Sequence, residues 1–228
     1  MIKHINNFFL LIIILLSLIS CKKELELRTH IIDFSFLDTT LKTEFIYIFD
    51  SIYIDAEINR FDTFSFLIKE RIDTFFFIDN QKIYRLERYK KENNINKWQL
   101  TDIWHFYIYK NNFIKVEENI PYVKINFPIE LKKQWDGNMF NNLDKQIYLV
   151  DSIIEKNNKI TCYITHYYKE SLVDKYHSYE AYTKNIGLTE KSIVNIYSSY
   201  FLPHLPIEKR IKKGILKKLK LIEKINKK

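Results

Sequence analysis

The side chains that could do chemistry in this sequence are present but dispersed. His30, His105, His166, His177 and His204 stand far apart. Only His166 and His177 fall on neighbouring expected strands, and two isolated histidines fall short of the three or four ligands a bound metal takes, so no metal centre is expected. Asp62, Asp73, Asp102, Glu87 and Glu117 lie in or beside strands. Two carboxylates flanking a sugar would cleave a glycosidic bond, but no spacing selects a pair, and no catalytic residue is assigned. The sequence holds no Gly-rich phosphate loop, no G-x-S-x-G, no H-E-x-x-H and no C-x-x-C, and only three glycines from which to build such loops. No cofactor is expected.

Aromatic residues are the better candidates. Trp98, Trp104 and Trp135 lie near Tyr107, Tyr109 and Tyr122 in the order of strands, and aromatic faces stack on apolar ligands and sugars alike. Trp98, Trp104, Tyr107 and Trp135 are therefore the candidate ligand-binding residues, with the same side chains also suited to the core and rim of an aromatic-rich sheet. Their weight is reduced by composition, because Ile, Lys, Asn, Phe and Tyr crowd the chain at the expense of Gly, the bias of an AT-rich coding sequence.

One further residue carries chemistry of a different kind. Lys3 and the α-amine precede nine apolar residues, Phe8 to Leu16, and small or polar residues follow before Cys21, the layout of a secretory leader. The apolar run is shorter than the roughly 20 residues that span a bilayer. Leu18-Ile19-Ser20-Cys21 resembles a bacterial lipobox. The resemblance implies cleavage after residue 20 and acylation of Cys21 with a diacylglyceryl group and an amide-linked third chain such as palmitate; more than one chain is what stable anchoring requires. Lys22, rather than Asp, after the cysteine resembles lipoproteins passed on to the outer membrane. With Cys21 consumed, Cys162 is left alone and reads as a small buried hydrophobe.

The elements that must position these residues are mostly strands. Residues 21–40 read as a tether, without sustained period. From residue 41 to about 202, β-branched and aromatic residues alternate in short runs: 44–55, 61–69, 71–78, 82–90, 97–109, 112–118, 122–127, 146–154, 159–168, 176–184 and 188–197. Asp79-Asn80, Asn111-Asn112 and Asn157-Asn158 supply tight turns, and Pro121 and Pro128 confine 122–127 to an edge. The expected fold is mainly β, a single antiparallel β-barrel or sandwich-like domain of roughly ten strands.

The last stretch changes period. Ile207, Ile211, Ile215, Leu219, Ile222 and Ile225 recur every three or four residues, which predicts an amphipathic helix over 203–228. Residues 207–228 hold ten Lys/Arg against two Glu, equal to the whole formal net charge of +8. The body is thus near neutral, and nucleic-acid binding is not expected. The helix either packs its apolar stripe on the domain or lies on anionic lipid, with Lys213, Lys217, Lys220 and Lys224 as the membrane contacts in the second case.

A longer resemblance covers Leu41 to about Ser192. The series Tyr84-Arg85-Leu86-Glu87-Arg88, Trp98-Gln99-Leu100-Thr101-Asp102-Ile103-Trp104, Phe127-Pro128 and Trp135-Asp136-Gly137-Asn138 resembles a family of uncharacterised Bacteroidota lipoproteins. The chain departs from it at Thr43-Glu44-Phe45, where members tend to carry Gly before the first strand's Trp. The resemblance implies anchoring and fold class and supplies no activity. The leading expectation is a non-catalytic binding or structural module of the envelope, lipid-anchored in the outer membrane, holding an apolar or glycan ligand or a partner protein. The second is a glycan hydrolase working through paired strand carboxylates.

Overall fold

The computed structural model describes residues 33–92, 95–198 and 204–226. The leader and Cys21 lie outside the described residues. From Asp33 onward the chain forms a sheet of twelve antiparallel strands: β1 (Thr43–Asp55), β2 (Arg60–Ile78), β3 (Gln81–Glu92), β4 (Gln99–Tyr109), β5 (Asn112–Glu117), β6 (Ile120–Asn126), β7 (Gln134–Asp136), β8 (Ile147–Lys156), β9 (Lys159–Glu170), β10 (Asp174–Thr183), β11 (Gly187–Tyr197) and β12 (Lys213–Asn226). Each strand except the β6–β7 pair bonds to its neighbour in sequence, and β12 pairs with β1. The order β6-β5-β4-β3-β2-β1-β12-β11-β10-β9-β8-β7 is therefore an almost closed barrel with one seam, between β6 and β7.

The turns follow from residue type. Asp79 and Asn80, and Asn157 and Asn158, have φ of 47°, 63°, 52° and 59°, the left-handed conformation that a two-residue hairpin needs and that Asn and Asp tolerate. At the next hairpin Lys110 carries the positive φ and Asn112 already begins β5. The seam is closed by few bonds. Val123 N–H donates to Gly137 O at 2.9 Å and Trp135 Nε1 donates to Val123 O at 2.8 Å. The edge position expected of the proline-bracketed strand is that of β6.

Three expectations are corrected. The runs 61–69 and 71–78 are one continuous strand, β2, because Glu70 between them continues the alternation rather than making a turn. Two strands were missed, Gln134–Asp136 and Lys213–Asn226, and the second takes the place of the expected C-terminal helix. Among the described residues there is no α-helix, only a 3₁₀ turn at Ile207–Lys209. The reason is geometric. Ile207 lies in the 3₁₀ turn and Ile211 precedes β12, while Ile215 and Leu219, four apart, fall on one face of the strand, because a step of four returns to one face of a strand as well as of a helix. The steps of three do not stay on that face: a bulge where Glu223 pairs with Ile46 and Leu221 with Tyr47 leaves Ile222 over, and Ile225 pairs with Glu44 on the other face. Ile222 is accordingly 55% exposed while Leu219 is 6% exposed. Gly214, unfavourable in a helix, is required here, since a Cβ would meet Ile196 Cγ2 at 2.7 Å and Asn195 O at 2.8 Å.

One end of the barrel is plugged. Residues 33–41, the end of the stretch read as a tether, carry Phe36 into the core and pack Phe34, Leu37 and Leu41 against it. Phe34 meets Phe127 edge-on at 4.8 Å, Asp33 pairs with Lys184 at 2.9 Å and Asp38 with Lys224 at 2.5 Å. Behind this plug Phe45, Ile72, Leu86, Phe106, Phe113 and Tyr182 fill the interior, leaving a cavity of about 60 Å³.

Candidate binding site in the barrel mouth

Alternation along the strands sends a second set of side chains inward, and these are charged. Glu70 follows Ile68 and precedes Ile72 on β2, Arg88 follows Leu86 on β3, and Lys115 and Glu117 follow Phe113 on β5. Lys124 comes from β6, Glu180 from β10 and Lys191 from β11. They form one chain of alternating sign across the lumen. Arg88 Nε lies 3.8 Å from Glu70, Lys115 Nζ 3.3 Å from Glu70 and 3.5 Å from Glu117, Lys124 Nζ 3.1 Å from Glu117 and 3.3 Å from Glu180, and Lys191 Nζ 3.1 Å from Glu180. Tyr182 OH donates to Glu180 at 2.7 Å. Lys115 with Glu70, and Lys124 with Glu180, join strands that are not sheet neighbours, so these contacts tie opposite walls together.

Partner charges set the protonation of this layer. Burial works to raise the Glu117 pKa, but Lys124, Lys191 and Lys115 hold it down at about 2. Glu180 is likewise held well below the usual carboxylate range against its burial, first by Lys124 and Lys191. Burial works against the Lys124 charge, and Glu180 and Glu117 overcome it, raising its pKa. His166 behaves oppositely. It is stacked on Tyr148 at 4.0 Å, and burial pushes its pKa down to about 3. Its Nε2 stands 3.7 Å from Glu180 and has no hydrogen-bond partner. At that separation burial outweighs the carboxylate, so the imidazole is neutral.

Beyond this layer the lumen opens. A cavity of about 110 Å³ lies between Phe49, Arg88, Trp104, Lys191, Ile193 and Lys217, and a wider one of about 390 Å³ shares Arg88, Trp104, Glu117, Lys191 and Ile193 with it and reaches Tyr148 and His166. Together they are lined by six basic side chains (Arg88, Lys115, Lys124, Lys191, Lys217, Lys218) and four carboxylates (Glu70, Glu117, Glu118, Glu180), an excess of two positive charges.

Of the four aromatic candidates only Trp104 reaches this mouth. Its ring is already engaged, with Arg88 Cζ at 4.4 Å and Lys115 Nζ at 4.6 Å from its centroid, while Nε1 donates to Glu118 at 3.3 Å. Trp135 is buried at the seam. Tyr107 is paired with Ile114, on the opposite side of β4 from the inward Phe106. Trp98 sits beside β4 with Lys69 Nζ 4.9 Å from its ring. The structure therefore does not gather them into one aromatic platform. Of the ionic residues the sequence singled out only Glu117, among dispersed carboxylates, and did not group them, although Glu70, Lys115 and Glu117 occupy the alternating positions of strands whose other inward residues are apolar; that phase was the available signal.

The remaining candidates disperse in the same way. Asp73 and Glu87 are neutralised on the outer face by Arg71 and Arg85, with Arg71 to Glu87 and Arg85 to Asp73 both 2.6 Å, and Asp62 pairs with Arg60. His166 points inward, whereas His177 packs between Tyr168 and Tyr179. Among the described residues no group of three His, Cys, Asp or Glu is placed to hold a metal. Lys213 pairs with Asp55 and Glu57, Lys217 faces the mouth, Lys220 is exposed at mid-strand, and Lys224 is held by Asp38 and Asn185 O at the plugged end. Lys213 and Lys224 thus stand roughly 36 Å apart along the strand at about 3.3 Å per residue, which scatters the four lysines that the helical reading had placed on one surface.

No protein-family model and no curated protein matches the chain. Two solved structures are similar. One is a proposed lipoprotein of Parabacteroides distasonis, with a TM-score of 0.38 and 11% identity over 83% of this chain and 98% of that one. The other is a proposed exported protein with a YmcC-like fold from Bacteroides fragilis, with a TM-score of 0.37 and 12% identity over 81% and 98%.

Proposed function

We propose that this chain is a cell-envelope lipoprotein, held to the outer membrane through acylated Cys21, whose barrel is a non-catalytic binding module open to a polar, glycan-type ligand. The observation that carries the non-catalytic part is the state of the lumen carboxylates. A glycosidase needs one carboxyl with a raised pKa to protonate the leaving oxygen. Glu117, which lines both cavities, and Glu180, which lines the narrower one, are both held low by shared lysines, so neither has a proton to give at neutral pH. An apolar ligand is disfavoured by volume, since the apolar end keeps only about 60 Å³, room for no more than a few water molecules.

Support for the anchored orientation comes from the leader and from the place where the described chain begins. Asp33 is bound to Lys184 at the plugged end, and the β2–β3 hairpin at that same end exposes Phe77 and Ile78 at 64% and 53%. An anchor twelve residues upstream of Asp33 reaches at most about 40 Å. It therefore draws the plugged end toward the lipid and leaves the mouth facing away from it.

Mass spectrometry of the mature protein from its own envelope is the test. An N-terminal residue 21 carrying a diacylglyceryl group is the expected result; an unmodified Cys21, or a cut elsewhere, overturns the placement.

A further inference from the structure

We infer that the barrel mouth is an oxyanion-binding site, formed by Arg88, Lys191 and Lys217 at its rim with His166 at its floor, that takes the carboxylate or phosphate group of a small molecule or sugar acid. This deepens the polar-ligand reading of the same cavity.

Three independent observations converge. The first is charge: the two cavities carry six basic against four acidic side chains, and a concave mouth lined by one sign of surplus charge concentrates the field on a counter-ion. The surplus is localised. Lys115 and Lys124 each have two carboxylate neighbours, and Lys218 pairs with Glu190 at 3.1 Å. Lys191 has a single carboxylate partner, Glu180 at 3.1 Å, Arg88 has one distant contact at 3.8 Å, and Lys217 has no carboxylate partner among the described residues, so the surplus lies on Arg88 and Lys217.

The second observation is pre-organisation. The Arg88 guanidinium lies over Trp104, which fixes its plane and leaves its edge N–H groups for a bidentate oxyanion. The cations cover that aromatic face, so sugar stacking on Trp104 is blocked, and a charged group is what the mouth has left to recognise. The third is His166. His166 lines the wide cavity, and its Nε2 is buried without a hydrogen-bond partner, 3.7 Å from Glu180; a buried polar atom without a partner costs free energy. A neutral imidazole protonated at Nε2 donates to an oxyanion and removes that cost.

The experiment is calorimetric titration of the mature, acylated protein in detergent with inorganic phosphate and, separately, with glucuronate at low ionic strength. Saturable binding of at least one at millimolar concentration or tighter is expected, weakening as salt is raised. Lys217→Gln, an exposed and unpaired side chain, should weaken it at least threefold, and Arg88→Gln about tenfold or more. Lys213→Gln, remote and paired with Glu57, should leave it unchanged. Glucuronate binding more tightly than phosphate identifies a sugar acid, and the reverse identifies phosphate. No saturable binding of either, or binding equal in wild type and Lys217→Gln, overturns the site. Because Cys21 acylation is read separately by mass, failure here is distinct from failure of the anchoring.

Discussion

The smallest unit that governs this barrel is a buried charge with its partners. Lys124 is 3% exposed and Glu180 2%, and removing one member of such a set leaves an uncompensated charge in a medium that solvates it poorly. Lys124→Met should therefore lower stability by about 3–5 kcal/mol, measured by urea unfolding, and pairing it with Glu180→Gln should recover part of the loss. The titration of the same layer follows from its pKa values. His166 is depressed to about 3, so between about pH 6.5 and 3 the unfolded chain binds a proton that the native one refuses. Stability is lost as pH falls through that window, at up to about 1.4 kcal/mol per pH unit. Burial depresses His105 and His177 in the same sense. Glu117, depressed to about 2, adds a further loss as pH falls below its unfolded value near 4.5. The urea midpoint should thus begin to fall below about pH 6.5, and His166→Gln should flatten that first limb while leaving the acid one. A midpoint level down to pH 4.5 in the wild type would contradict the neutral, buried imidazole.

At the scale of elements, β12 decides whether the sheet closes. It supplies the partner for both β1 and β11, so its loss would open two long edges rich in β-formers, and open edges recruit other chains. Truncation after residue 206 should yield protein that is insoluble or lacks a cooperative thermal transition; a monomeric, cooperatively unfolding product would show that β12 is dispensable. Much of this level was readable from the sequence. The hairpins at Asp79-Asn80 and Asn157-Asn158, the edge position between the prolines and the period-two runs all rest on local chemistry. β7 was not readable, because three residues give no period, and Trp135-Asp136-Gly137-Asn138 has the composition of a loop. In the structure Gly137 sits where a Cβ would lie 2.4 Å from the Tyr148 ring, and Asp136 Oδ1 accepts from Asn138 and Gln146 N–H. Turn-like chemistry there serves the close approach that shuts the seam.

The whole molecule is a meander whose ends meet, and closure is its most non-local event. Thr43 pairs with Asn226, and loop-closure entropy must be overcome before that pairing stabilises anything. Folding should accordingly be slow for a chain of this size, with relaxation in milliseconds to seconds or longer, measurable by stopped-flow dilution from urea with Trp fluorescence. The closed wall also gives the protein two unlike ends, an apolar plugged one where the N-terminal segment enters and a cationic open one.

That polarity marks the division between what sequence and structure each settled. Antiparallel class and most hairpins were determined by the sequence itself, because each depends on residues adjacent in the chain. The C-terminal element, the grouping of Arg88, Lys115, Glu117, Lys124, Glu180 and Lys191, and the separation of Trp98, Trp104, Tyr107 and Trp135 were decided only in three dimensions. A spacing of four fits both a helix and a strand, and only pairing with β1 and β11 breaks the tie. A charge on a strand looks like a solvated face until the sheet curls and its inward side is opposed by the far wall.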